Sequence, residues 1–161
     1  MEPYFISPRA GRLAALVAGI AGAAAQSPAD PAVKRGRYLV QIGGCNDCHT
    51  HGYRQAGGTI DEQQWLTGST LGWRGPWGTI YPPNLRLVAD GMSEVQWLTK
   101  AREERRPPMP WFNLRAMTEA DLTAIYRYLR HLGAAGEPAP AYVPPDRTPK
   151  PPYVEFPAPP P

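Results

Sequence analysis

At 161 residues the chain is about one domain long, and its net charge of +3 leaves no strongly basic field. Without such a field, nucleic-acid binding has nothing to support it. A folded part of roughly 100 residues buries a modest share of its surface, so a bound group that added apolar volume would help to stabilise it.

Taken in chain order, residues 1–25 read as a secretory leader. Arg9 and Arg12 form a basic start, Leu13 to Ala25 is an uncharged apolar run, and Ala23, Ala24 and Ala25 end it in small residues. The run is shorter and more Ala/Gly-rich than the roughly 20 strongly apolar residues of a membrane span. The two arginines are not adjacent, so a twin-arginine signal is not supported. Cleavage after Ala25 would leave +2 and an exported chain in the periplasm; an uncleaved leader would instead anchor it to the membrane.

A helix is predicted from Asp30, a candidate cap with Pro31 at the first helical position, to the pair Gly43-Gly44, with Val33, Leu39, Val40 and Ile42 on its apolar side. From Thr50 to about Leu87 the sequence is rich in Gly, Trp, Pro and Thr without a sustained period, which reads as a long loop that must wrap something. Ser93 and Gln96 form a capping box for a second helix, which must end before Pro107 and Pro108 and turns Val95, Trp97, Leu98 and Ala101 inward. Thr118, with Asp121 three residues on, starts a third, faced by Leu122, Ile125, Tyr126 and Leu129 and closed by Gly133. The expected domain is 26–136. Residues 137–161 form a tail with 11 of the 21 prolines, expected to be extended and unable to form a sheet core. It reads either as a spacer or, given Tyr142, Tyr153 and Phe156, as a segment lying against the domain or a partner.

The only two cysteines lie in Cys45-Asn46-Asp47-Cys48-His49, the spacing of covalent haem attachment. Residues three apart share one face of a helical turn, so both sulfurs can reach the vinyl groups on one porphyrin edge. His49 follows directly and can give one ring nitrogen to the iron while the other is fixed by an acceptor elsewhere. A zinc half-site would need two more ligands, with only His51 and His131 left among His and Cys. A redox dithiol would call for alternating strands and helices that are absent here.

For the opposite axial position Met109 is best placed, within Pro107-Pro108-Met109-Pro110-Trp111, where the prolines stiffen the loop and remove backbone donors from an apolar face. Met117 is the runner-up, Met92 reads as a loop residue, and His131 or an open site are the other outcomes. Arg102, Arg105 and Arg106 either rim the haem edge for an acidic partner or end the second helix.

With Cys45, Cys48, His49 and then Pro108-Met109-Pro110 ahead of a final helix, residues 30–133 resemble the class I cytochromes c, particularly bacterial exported ones and cytochrome subunits of dehydrogenases. The resemblance implies an all-α fold of three main helices and long loops around one covalently attached haem c. It pairs Gly36 of the first helix with Tyr126 or Tyr128 of the last. The run Gly78 to Leu85 matches the segment before the second helix of such subunits, without the usual threonine and proline after Asn84. The family's proline soon after the motif, whose carbonyl orients the histidine, is missing from Thr50 to Tyr53. Trp77, Tyr81 and Asn84 could face the haem edge or simply pack the loop.

The implied function is one-electron transfer by a carrier that is not itself an enzyme, with a dehydrogenase or oxidase as redox partner. The alternatives are a fixed subunit of a membrane or periplasmic dehydrogenase complex and a haem enzyme or gas sensor with an open distal site.

Overall fold

The computed structural model describes residues 30–157; the leader read at 1–25 lies outside them. In chain order come α1 (Pro31–Ile42), α2 (Cys45–His49), a 3-10 turn (Glu62–Gln64), β1 (Gly72–Gly75), β2 (Gly78–Ile80), α3 (Leu85–Asp90), α4 (Glu94–Ala101), α5 (Trp111–Ala116), α6 (Glu119–Leu132) and β3 (Tyr153–Glu155).

The three expected helices are α1, α4 and α6, and their ends follow from local chemistry. Asp30 accepts from the Ala32 amide ahead of Pro31, Ser93 and Gln96 complete their capping box, and Thr118 accepts from the Asp121 amide. The frame is the crossing of α1 on α6. A Cβ on Gly36 would collide with the Ala124 carbonyl and lie 2.7 Å from Tyr128 Cβ, so only glycine allows the two backbones to meet. Tyr128, rather than Tyr126, is thus the facing aromatic; it is buried and donates to Glu62 Oε1 at 2.7 Å. Val33, Leu39, Val40, Trp97, Ala101, Leu122, Ile125 and Leu129 fill the core around this crossing.

Two inward assignments are corrected. Ile42 and Val95 are 63% and 73% exposed, and each lies in a terminal turn of its helix.

The all-α expectation is corrected as well. Residues 50–87 are not structureless: β1 and β2 form an antiparallel hairpin across Pro76-Trp77, with Gly75 opposite Gly78. The proline-rich tail completes the sheet, in the order β2-β1-β3, since Tyr153–Glu155 pairs in parallel with Gly72 to Arg74. A short ladder suffices because Phe156 packs on Trp73 and Trp77 at 5.8 and 5.7 Å between ring centroids. Among the described residues no helix is long and apolar enough to cross a membrane.

Candidate haem site

Gly44 takes φ +67° between α1 and α2, turning the chain so that the five-residue helix Cys45–His49 starts afresh. Cys45 and Cys48 are unpaired thiols one helical turn apart. Burial pushes the Cys45 thiol up to about 11, and burial followed by the Asp47 carboxylate raises Cys48 as well. Neither sulfur is set up as a reactive thiolate, which disfavours the redox-dithiol reading.

The back of this turn is locked into two distant segments. Asn46, 1% exposed, accepts from Thr50 Oγ1 at 2.7 Å, and that hydroxyl oxygen in turn accepts from the Leu66 amide at 2.8 Å. The Gly68 amide donates to the His49 carbonyl at 2.7 Å, Ser69 donates to the Pro82 carbonyl, and Leu85 to the Leu66 carbonyl. Gly68 is required here: at φ +86°, a Cβ would stand 2.9 Å from the Asn84 nitrogen. Leu66, fully buried at φ +62°, is the pivot that lets one residue bond both neighbours.

This interlock brings the Pro83 carbonyl to 2.8 Å from His49 Nδ1, across 34 residues. A carbonyl can only accept, so Nδ1 carries the proton and Nε2 presents a lone pair. His49 is 6% exposed, and burial pulls its pKa down, which keeps the ring neutral. The acceptor that the sequence could not identify is thus Pro83. Its sequence signal is Pro82-Pro83 ahead of the helix-capping Asn84, two residues whose nitrogens cannot donate.

Asn84 turns out to pack the loop. Its Oδ1 caps α3, and its Nδ2 donates to the Ala135 and Glu137 carbonyls at 2.7 and 3.2 Å. Arg86, also buried, donates to the carbonyls of Gln63, Leu132 and Gly133 and so closes the C-terminus of α6 against the same loop.

Met109 lies elsewhere, half-buried at the end of an exposed loop. Its amide donates to the Arg106 carbonyl at 3.3 Å and its carbonyl accepts from Trp111 at 2.9 Å. The flanking arginines are engaged. Arg102 and Arg115 donate to each other's carbonyls, Arg105 pairs with Glu103 at 2.8 Å, and Arg106 lies 4.4 Å over the Tyr142 ring. Met117 packs against the core beside Cys45: its Cε and the Cys45 Sγ are each 3.8 Å from where a Gly43 Cβ would be. Met92 also packs on the core.

The donor set suits haem c: two free thiols on one turn and a neutral buried imidazole with one nitrogen to give. Uncovered apolar surface adjoins both segments, with Ile42 before the motif and Phe112 after Met109, 63% and 59% exposed. Among the described residues no cluster of three or more His, Cys, Asp and Glu side chains stands ready for a metal ion.

Comparison with known proteins agrees. The chain is 33% identical over 128 residues to the cytochrome c subunit of a quinone alcohol dehydrogenase from Gluconacetobacter polyoxogenes, an alignment covering 70% of this chain and 25% of that protein. The corresponding subunit of Komagataeibacter europaeus matches with the same figures. The chain therefore spans about a quarter of the length of these relatives. No solved structure matches it. The family model for cytochrome c covers residues 33–133, and the chain belongs to the cytochrome c family, whose cofactor is covalently attached haem c.

Proposed function

We propose that this protein is a monohaem electron carrier in which Cys45 and Cys48 hold the haem and His49 and Met109 fill the two axial positions of its iron. The observation that carries the reading is the buried His49 ring, whose Nδ1 proton goes to the Pro83 carbonyl and leaves Nε2 a lone pair to give to iron. Haem iron, when bound, accepts and releases one electron at a time, and methionine ligation favours its reduced state. A haem held by both residues would leave no open position at its metal, as suits a carrier rather than a haem enzyme or gas sensor. Met109 is favoured over Met117 and Met92 because those two side chains are taken up in core packing.

The reading extends to organisation. Residues 1–25 serve as an export leader, 26–136 as the cytochrome domain and 137–161 as a C-terminal extension, in a periplasmic protein. Likeness to a dehydrogenase cytochrome c subunit supports a dehydrogenase as electron donor and, as a second reading, a fixed place in such a complex.

Haem-stained denaturing gels test the attachment: the double variant Cys45→Ala/Cys48→Ala should lose covalent haem, and undiminished staining would refute it. Met109→Ala should abolish the weak far-red band of methionine-ligated ferric haem while Met117→Ala keeps it; the opposite result would move the ligand to Met117. Copurification with a dehydrogenase in fixed ratio would favour the subunit over the free carrier.

A further inference from the structure

Between Tyr142 and Phe156 the tail is bound to the hairpin at several points. Val143 and Thr79 exchange backbone hydrogen bonds of 3.0 and 2.7 Å, the Gly72 amide donates to the Pro152 carbonyl at 3.0 Å, and the Phe156 amide donates to the Arg74 carbonyl at 2.8 Å. The Arg74 guanidinium donates in turn to the Arg147 and Pro145 carbonyls at 2.9 and 3.3 Å.

Tyr142 connects this assembly to the loop that carries Met109. Its hydroxyl donates to the Trp77 carbonyl at the hairpin turn, at 2.9 Å, and the opposite partner is the Arg106 guanidinium, 4.4 Å from the ring centroid. The Arg106 carbonyl accepts from the Met109 amide. Gly78 makes room for the contact: with a side chain there, Cβ would lie 2.7 Å from the Tyr142 hydroxyl and 2.8 Å from its ring. One continuous series of contacts thus runs from the hairpin through a tail side chain to the backbone of Met109.

We propose that Tyr142 is a positioning residue for Met109, bracing the ligand loop against the β1–β2 hairpin through Arg106. The inference rests on Met109 as the axial ligand. The loop needs such a brace because Met109 is anchored by two backbone bonds at its own turn and is not among the side chains packed on the core. A cation over an aromatic face is held without a directional hydrogen bond, so Arg106 can keep its place while the loop backbone adjusts.

The test uses the oxidised holoprotein and imidazole, which must displace Met109 to reach the iron, followed in the Soret band. Tyr142→Leu and Arg106→Gln should each bind imidazole about two- to fivefold more tightly, the range that an exposed cation–π contact implies. The double variant should gain no more than either single one, since both remove the same contact. Tyr142→Phe, which keeps the ring under Arg106, should stay closer to the parent. A lowered unfolding midpoint with unchanged imidazole affinity would make Tyr142 a merely structural residue and overturn the proposal, as would additive effects in the double variant. Met109→Ala separates the two readings: if it keeps the far-red band, the ligand assignment fails, and if it loses the band while Tyr142→Leu binds as the parent does, only the brace fails.

Discussion

Around His49, three chain segments meet in backbone hydrogen bonds, with Asn46, Thr50 and Leu66 buried at the junction. Around Met109, a single loop is held at its base by Arg102 and Arg115 and near its tip by Arg106 on Tyr142. Buried backbone bonds have no water to replace them when they break, whereas exposed arginine contacts exchange readily with solvent. The histidine side is therefore fixed by the fold itself. The methionine side is adjustable, and small forces between side chains decide how firmly its ligand is held.

A change in the frame that both sides share should erase the contrast. Gly36→Val drives a branched side chain into the Ala124 carbonyl at the α1–α6 crossing, and the expected loss is about 3 kcal/mol or more, read as a lower denaturation midpoint. A normal midpoint would mean that the helices can separate without penalty. Thr50→Val should act on the histidine side alone. It strands the Leu66 amide in a buried site, with a loss of about 1–3 kcal/mol in global unfolding and faster amide exchange at Leu66 and Gly68. A loss as small as that of an exposed loop substitution would show that the interlock is not a cooperative unit.

The smallest effect expected is electrostatic. Asp121 accepts from Arg35 Nε and Nη2 at 3.0 and 2.9 Å and from the Thr118 hydroxyl, and these bonds, Arg35 first, hold its carboxyl below the usual range. A depressed folded pKa contributes stability above the unfolded value of about 3.9 and loses it as pH falls through the folded one. Asp121→Asn should therefore lie below the parent at neutral pH by well under about 1 kcal/mol, because the pair faces solvent, and the gap should close in acid. A gap that widened in acid would reverse the assignment.

What the sequence made legible follows physical range. The caps at Asp30, Ser93 and Thr118 act within three residues, so the starts of α1, α4 and α6 could be read directly. Cys45, Cys48 and His49 were legible because their chemistry is carried by spacing alone. The hairpin was not, since strands of four and three residues, flanked and broken by glycine, show no alternation to count. Nor was α5, six residues directly after a proline-rich loop. The acceptor for His49 depends on Leu66 adopting positive φ and on Gly68 admitting the Asn84 backbone, conditions that no local pattern records.

The parallel pairing of β3 with β1 also sets an order of opening. The bond between Arg74 and the Arg147 carbonyl closes a span of 73 residues, and the ladder that shares it has only three residues in β3. Closure of a long loop costs entropy that grows with the logarithm of its length, and three paired residues return little unless hairpin and helices already stand. The C-terminal strap is then the last part to zip and the first to release, so its amides should exchange through a local opening while those of α1 and α6 wait for global unfolding.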